Sequence, residues 1–247
     1  MAKRIVITGA SAGIGAELAR QLAHAGHLLV LSARHETALV ALAKDIGGGA
    51  TAVAGDMTSR TDVDHLRDDA LRRLGFVDVW INNVGRGINR RVMDLSDDDI
   101  DQMVAVNVKS ALYGIQSIVP HFIARGAGHL INMSSYLSRV PVASYRSAYS
   151  GAKAMLNLLT ENLCMDLRES HPNIHVSLVL PGLVDTEFAK HALGGPPQGG
   201  LVSATPAQNV ADVAREVVAL IGHPQAEHYT NPALREMVRR RFDVSLG

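Results

Sequence analysis

Short apolar runs alternate with segments of helical periodicity along most of this chain of 247 residues, and this alternation limits the fold more than any other feature. The runs are apolar throughout, which is typical of parallel strands covered on both faces. We therefore predict six buried strands. They lie near residues 5–7, 28–31, 50–54, 77–81, 129–133 and 174–180.

The segments between these strands repeat apolar residues every three to four positions and predict helices. Strands that alternate with helices indicate an α/β protein with a single doubly wound parallel sheet, a Rossmann fold of three α/β/α layers. No repeat or linker divides the chain, so we expect residues 1–247 to form one domain. The predicted helices span about 13–25, 36–46, 60–73, 97–125, 147–169 and 206–221.

Two segments depart from the alternation. Residues 193–200, with the sequence LGGPPQGG, can hold neither helix nor strand. They follow the sixth strand, on the side of an open α/β sheet where ligands bind. We interpret residues 185–206 as a substrate lid, with a plain surface loop as the alternative. The tail from about residue 223 gives no clear pattern.

Composition argues against several classes of function. The formal net charge is zero, which gives no electrostatic reason to expect nucleic acid or an acidic membrane surface as partner. The single cysteine, Cys164, cannot form an intrachain disulfide, and no stretch approaches the ~20 apolar residues of a membrane helix. The histidines form no convincing metal-binding pair. We expect a cytoplasmic protein with no nucleic-acid, membrane or metal partner.

A glycine-rich turn, Thr8–Gly15 (TGASAGIG), joins the first strand to the first helix. Glycines permit positive φ and let the backbone approach a ligand closely. The free N–H groups and the positive end of the following helix suit a pyrophosphate. Since the turn lies inside a βαβ unit, we predict that it binds a dinucleotide, with a purely structural turn as the alternative.

Further motifs follow in an order that resembles the short-chain dehydrogenase/reductase family. Asn82-Asn83-Val84-Gly85 resembles the family's N-N-A-G, although Val84 replaces the usual alanine. Ser135 lies fourteen residues before Tyr149, near the long end of the family's range, so Ser134 remains an alternative. The resemblance covers residues 3 to about 190. Its other elements are Asp56, Asn107, Tyr149 with Lys153, and Pro181-Gly182 with Thr186.

The resemblance implies hydride transfer between a nicotinamide cofactor and a carbonyl or alcohol, with Tyr149 as general acid/base. It also implies that Ser135 donates to the substrate oxygen, that Lys153 bonds the nicotinamide ribose, and that Asn107 holds a water on the path by which Tyr149 is reprotonated. Lys153 lies four residues after Tyr149 on one helix face. A neighbouring ammonium favours phenolate, so we expect Lys153 to lower the pKa of Tyr149 from about 10.

The second strand ends in Leu31-Ser-Ala-Arg34 and lacks the acidic residue that usually binds the ribose 2′-hydroxyl of NAD. Arg34 can pair with a 2′-phosphate through two parallel hydrogen bonds. We therefore predict NADP(H), with NAD(H) as the less favoured cofactor. The predicted cofactor-binding residues are Gly9, Ser11, Gly13, Ile14, Gly15, Arg34, Asp56, Met57, Asn83, Val84, Gly85, Tyr149, Lys153, Pro181, Gly182, Val184 and Thr186.

The substrate is expected to be a small carbonyl compound or alcohol, in a pocket formed by residues 86–87, 136–142 and 183–193. Tyr136, Leu137 and Val140 suggest a partly apolar lining. The basic residues at 86, 90 and 91 form either a solvated loop or a site for an acyl-carrier phosphate, so a 3-oxoacyl-thioester reductase is the alternative enzyme. A non-catalytic NADP-binding regulator is a further alternative. Family members commonly associate through their long helices, and we expect a homodimer or homotetramer.

Overall fold

A computed structural model describes residues 1–196, 203 and 205–244. Seven parallel strands form one sheet, and each of the six predicted strands is present with its ends within two residues of the prediction. The strands are β1 (Arg4–Thr8), β2 (Leu28–Ala33), β3 (Thr51–Ala54), β4 (Val79–Asn82), β5 (Gly128–Met133), β6 (Ile174–Leu180) and β7 (Glu227–Tyr229). Their spatial order is β3-β2-β1-β4-β5-β6-β7, with every neighbouring pair parallel.

Helices cover both faces of the sheet and complete the predicted α/β/α layers. On one face lie α1 (Gly13–His24), α2 (Glu36–Ile46) and α7 (Val210–Gly222), which share an apolar cluster with β1 and β2. On the other face lie α3 (Arg60–Leu74), α5 (Ser110–Arg125) and α6 (Ser147–Arg168), around the buried Trp80 and Phe122. The fold class is thereby confirmed. None of the helices in the described ranges is long and apolar enough to cross a membrane.

The strand order reverses between β1 and β4, since β2 and β3 lie on one side of β1 while β4 to β7 extend on the other. The loops that leave the carboxyl ends of these two strands therefore separate in opposite directions and open a crevice. The glycine-rich turn follows β1, and Asn83 to Gly85 follow β4. The topology thus brings the two predicted cofactor motifs to one place.

The long helix predicted over 97–125 is interrupted. It consists of α4 (Asp97–Val104), a π-helical turn at Ala105–Lys109, and α5. Asn107 lies within the turn, and its side-chain amide donates to the Met103 carbonyl at 3.1 Å. A side chain that bonds nearby backbone competes with the regular helical ladder. Single π-turns inside helices are frequent at functional sites.

The C-terminal tail forms β7 and α8 (Pro232–Val244), which the sequence left unassigned. Helix α7 starts at Val210 rather than near 206, because the Asn209 side chain accepts from the Ala211 N–H at 2.8 Å and caps the helix there. Helix α8 buries Leu234 and Val238 on β6 and β7.

Candidate active site

The turn after β1 has the backbone shape that a phosphate site requires. Gly9 and Gly13 adopt positive φ values of 65° and 54°. A Cβ on Gly15 would overlap the Gly9 carbonyl oxygen, so any larger residue there would force the turn apart. The N-cap, Ala12, has no side chain that could occupy the first amides of α1. These N–H groups therefore remain available for a bound anion.

Asn83 fixes this turn to the end of β4. Its side-chain amide donates to the carbonyl oxygens of Thr8 and Gly9 at 3.3 and 3.1 Å, while its own N–H donates to the Thr8 hydroxyl at 3.1 Å. A Cβ on Gly9 would lie 3.2 Å from Val84. Asn83 thus holds the two loops together, and Val84 fits beside the glycine.

The carboxyl ends of β2 and β3 lie next to the turn. Arg34 is exposed directly after β2, and the Ser32 hydroxyl is buried without a hydrogen-bond partner. Asp56 accepts from the N–H and hydroxyl of Thr58, both at 2.9 Å, through one carboxylate oxygen. The side chain of Met57, predicted as a cofactor residue, is buried in the apolar cluster beneath the loop, which leaves only its backbone to face a ligand.

The loop after β6 also reaches the turn. A Cβ on Gly13 would lie 3.5 Å from the Thr186 methyl carbon. The Gly182 N–H already donates to the Gln208 side chain at 2.9 Å, and Val184 pairs with Gln208 along the backbone. The Pro181 carbonyl accepts from Tyr136 at 3.0 Å. No sequence pattern pointed to Gln208, because its partners are distant in the chain.

Tyr149 and Ser135 meet at the carboxyl end of β5. The Ser135 hydroxyl is one of the groups that act to lower the pKa of the Tyr149 phenol, and both residues are buried. Ser134 points instead toward α6, where its hydroxyl donates to the Asn157 side chain at 2.5 Å. Of the two serines that the sequence left open, the structure brings Ser135 to the tyrosine.

Lys153 and Asn107 approach each other beside Gly85. A Cβ on Gly85 would lie 3.2 Å from Asn107 Oδ1 and 3.4 Å from Lys153 Nζ. The ammonium donates to the Met133 carbonyl at 2.8 Å, and Asn107 exchanges hydrogen bonds with the backbone of Arg86 at 3.0 and 3.1 Å. Burial lowers the pKa of Lys153 to about 7.

The electrostatics of Tyr149 differ from the sequence-based expectation. Burial raises the pKa of the phenol, and the groups that act to lower it are the Ser135 hydroxyl and the Arg146 guanidinium, not Lys153. Lys153 is a weaker source of positive charge than expected, because its burial favours the neutral amine. Arg146, the N-cap of α6 three positions before the tyrosine, was absent from the predicted site.

The loop after β6 covers the Tyr149 ring. Phe188 packs edge-to-face on Tyr149 with a centroid separation of 5.7 Å. A Cβ on Gly87 would contact Phe188 and Ala192 and would overlap Arg146 Nη1. Phe188 and Ala192 belong to the first part of the predicted lid. Residues 197–202 and 204 of that prediction lie outside the described part of the chain.

One expectation for the substrate pocket was wrong. Tyr136 and Val140 are buried in the apolar cluster under α8, because the unassigned tail covers them. The basic residues at 86, 90 and 91 do not form one site, since Arg90 pairs with Asp99 at 3.4 Å and Arg86 donates to the His191 carbonyl at 3.1 Å. Of the two interpretations of this basic loop, these contacts favour the solvated one. Arg91 is exposed to solvent.

Comparison with known proteins identifies the family. Residues 3–194 match the family described as short chain dehydrogenase. The chain belongs to this family. It is 27% identical over 228 residues to an uncharacterized oxidoreductase of Staphylococcus epidermidis, covering 92% of this chain and 96% of the relative. The resemblance that the sequence motifs suggested is thereby confirmed.

Solved structures of short-chain dehydrogenases share the fold over nearly the whole chain. An enzyme of this type from Burkholderia phymatum, in complex with NAD, superposes with a TM-score of 0.88 at 26% identity and covers 99% of this chain and 95% of its own. An alcohol dehydrogenase from Thermococcus sibiricus, complexed with 5-hydroxy-NADP, gives 0.79 at 26% identity and covers 92% and 95%. This short-chain dehydrogenase is therefore an oxidoreductase of a fold that binds a nicotinamide cofactor.

Proposed function

We propose that this short-chain dehydrogenase interconverts a carbonyl and a secondary alcohol using NADP(H), with Tyr149 as general acid/base. The observation that carries the proposal is the buried Tyr149–Ser135 pair at the carboxyl end of β5, where the fold opens its ligand crevice. Lys153 lies one turn after Tyr149 on α6. Asn107, in the π-helical turn, lies next to Lys153. Each group has the chemistry that proton transfer to a carbonyl oxygen needs.

The residues around the turn fit a dinucleotide. The glycines form a cradle that a Cβ at Gly15 would fill, and the amides at the start of α1 face it. The unpartnered hydroxyl of Ser32 offers a donor at the adenosine end, and Thr186 borders the turn at the other end. These residues and Asn83 would hold the cofactor, which when bound supplies or accepts the hydride.

Side chains of the protein carry out the proton transfer in this proposal. In reduction, the Tyr149 O–H bond breaks as its proton passes to the substrate oxygen, and the Ser135 hydroxyl donates a hydrogen bond that stabilises the negative charge developing there. Lys153, with a pKa of about 7, can return a proton near neutral pH. Asn107 lies beside Lys153 and in this proposal holds a water that links Lys153 to solvent. Phe188, from the described part of the predicted lid, covers the Tyr149 ring and excludes bulk water in this proposal.

The preference for NADP(H) rests on the end of β2. Arg34 is exposed there, and neither Ser32 nor Ala33 offers a carboxylate to a ribose 2′-hydroxyl. A guanidinium pairs well with a 2′-phosphate. The solved relatives bind NAD in one case and 5-hydroxy-NADP in the other. The proposed preference for NADP(H) therefore rests on the residues at the end of β2.

Parallel fluorescence titrations with NADPH and NADH test the cofactor preference. We expect wild type to bind NADPH more tightly, and Arg34→Ala to weaken NADPH binding by about 10- to 100-fold, the range of a charge-assisted hydrogen bond. NADH binding should change little. Arg168→Ala, at an exposed arginine at the end of α6, is the control. Tighter NADH binding with no effect of Arg34→Ala would show that the preference is wrong.

The alternatives have less support. A site for an acyl-carrier phosphate would use the charges of the basic loop, but Arg90 forms an ion pair with Asp99 at 3.4 Å. A non-catalytic regulator has no use for the buried Tyr149–Ser135 pair. We also keep the cytoplasmic location as a proposal, based on the single Cys164.

We further propose a homo-oligomer, either dimer or tetramer, that forms through α6. Met155, Leu158 and Met165 lie on one face of this helix with 49%, 60% and 68% of their surface exposed. Exposed apolar groups in a row indicate a contact surface. Sedimentation equilibrium should give a dimer or tetramer that Leu158→Glu dissociates, and a monomeric wild type would contradict the proposal.

A further inference from the structure

Arg146 is a buried cation beside the candidate catalytic tyrosine. Only 5% of its surface is exposed, and its Nη1 is buried without a hydrogen-bond partner. Its charge is close enough to the Tyr149 phenol to act on it. The residue is the N-cap of α6, three positions before Tyr149, so the two side chains lie close together.

The neighbours of Arg146 do not neutralise it. Within the described ranges, none of the ion pairs includes Arg146. The groups whose charge acts on it are the phenols of Tyr149 and Tyr145, and burial lowers its pKa. A guanidinium stays charged in proteins. A buried, unpaired charge is unfavourable, and such a group is retained where a ligand supplies the opposite charge.

The surroundings define what that ligand looks like. Gly87 lies directly against the guanidinium, and any side chain there would overlap Nη1. Phe188 and Ala192 flank the same glycine and form an apolar wall. One cation beside apolar side chains matches a single planar carboxylate, which a guanidinium binds through two parallel hydrogen bonds.

We propose that Arg146 binds a carboxylate of the substrate, and that the substrate class is therefore oxo acids and the corresponding hydroxy acids. The inference rests on the proposed carbonyl reduction at Tyr149. Arg146 is a specificity-determining residue in this account: it places the carboxylate one helical turn from the phenol, with the reacting carbonyl between them. The apolar part of the substrate then contacts Phe188.

Three matched substrate pairs test the inference on wild type: pyruvate, acetoacetate and benzoylformate, each against its methyl ester. The acid and ester of a pair share the reacting carbonyl and differ in charge. We expect the NADPH-dependent kcat/KM to favour the acid at least tenfold in one or more pairs. An ester preference in all three pairs would overturn the proposal, because a neutral group would then suit the pocket better.

Variants separate binding from other roles of the arginine. Arg146→Gln should reduce the acid-to-ester ratio of kcat/KM by about 10- to 100-fold, mainly through the KM of the acid. Arg146→Lys should keep part of the ratio, and Arg91→Gln, at an exposed arginine of the neighbouring loop, should leave it within about twofold. Equal losses for acid and ester, with a shifted pH–rate profile, would mean that Arg146 only tunes Tyr149, and the proposal would be wrong.

A binding measurement distinguishes failure of this inference from failure of the proposed function. Benzoylformate is titrated into Tyr149→Phe loaded with NADPH, and into the double variant that also carries Arg146→Gln, by nicotinamide fluorescence. Binding that depends on Arg146 supports the carboxylate site even if wild type reduces nothing. Ester turnover with no Arg146-dependent binding would retain the proposed function and reject the inference. Circular dichroism of each variant checks folding.

Discussion

Replacing the buried Lys153 with methionine should abolish activity and stabilise the cofactor-free protein. Burial lowers the pKa of this ammonium from 10.5 to about 7, so the folded state holds its proton more weakly than the unfolded state does. Wild-type folding therefore costs extra free energy below the unfolded pKa. Methionine has a similar volume and no charge to bury.

The magnitude follows from the two pKa values. At pH 7 the lowered pKa corresponds to roughly 4 kcal/mol of lost folding stability. The variant also loses the hydrogen bond to the Met133 carbonyl, which contributes about 1 kcal/mol. We therefore expect Lys153→Met to raise the free energy of unfolding at pH 7 by about 3 kcal/mol, the difference between these two values.

The pH dependence gives the sign of the effect. Between the folded and unfolded pKa values the unfolded state binds more protons, so wild-type stability rises with pH from about 7 to 10.5. At pH 9.5 the remaining cost is about 1 kcal/mol, and the advantage of the variant should nearly vanish. Urea unfolding followed by circular dichroism measures both values, with Lys44→Met, at an exposed lysine of α2, as the matched control.

The reasoning would be refuted if Lys153→Met were less stable than wild type at pH 7, or if the difference between the two proteins did not change from pH 7 to pH 9.5. Either result would mean that the folded protein holds the lysine charged at little cost. Loss of activity without the stability gain would agree with a catalytic role for Lys153 but would show that its pKa is not lowered in the folded protein.

Two further predictions concern the serines and the turn. Ser135→Ala should lower kcat at least about 100-fold with little change in NADPH affinity. Ser134→Ala, which loses the bonds to the Asn157 side chain and the Lys153 carbonyl, should keep kcat within about threefold of wild type. Equal losses in steady-state kinetics would contradict this prediction. Gly15→Ala should weaken NADPH binding at least about tenfold, because the added Cβ overlaps the Gly9 carbonyl, while Gly222→Ala, where a Cβ meets open space, should leave the Kd unchanged. Fluorescence titration measures the Kd of NADPH for both variants. Equal affinities would refute the role of the glycine-rich turn in holding the cofactor.

Sequence alone predicted the features that depend on local pattern. The strands are short apolar runs, the turn after β1 contains the closely spaced glycines Gly9, Gly13 and Gly15, and Tyr149 and Lys153 lie one helical turn apart. The order of the motifs along the chain then predicted which strand ends would meet, because parallel strands share one carboxyl edge.

The features that sequence missed depend on distant contacts. Strand β7 has three residues and exists because Glu227 to Tyr229 pair with β6. Arg146 has the sequence signature of a solvated arginine before a helix, and only its packing on Gly87 shows that it is buried. Met57 is adjacent to the predicted adenine-binding Asp56, yet its side chain belongs to the core.

The most direct test of the account is the rate of NADPH oxidation by a panel of aldehydes, ketones, quinones and oxo acids, for wild type and Tyr149→Phe with NADPH affinity measured on the same samples. We predict that wild type oxidises NADPH with one or more of these substrates, and that Tyr149→Phe binds NADPH equally well but reacts at least about 100-fold more slowly. A variant as fast as wild type, or a wild type that binds no nicotinamide cofactor, would contradict the assignment of Tyr149 as the proton donor in a carbonyl reductase.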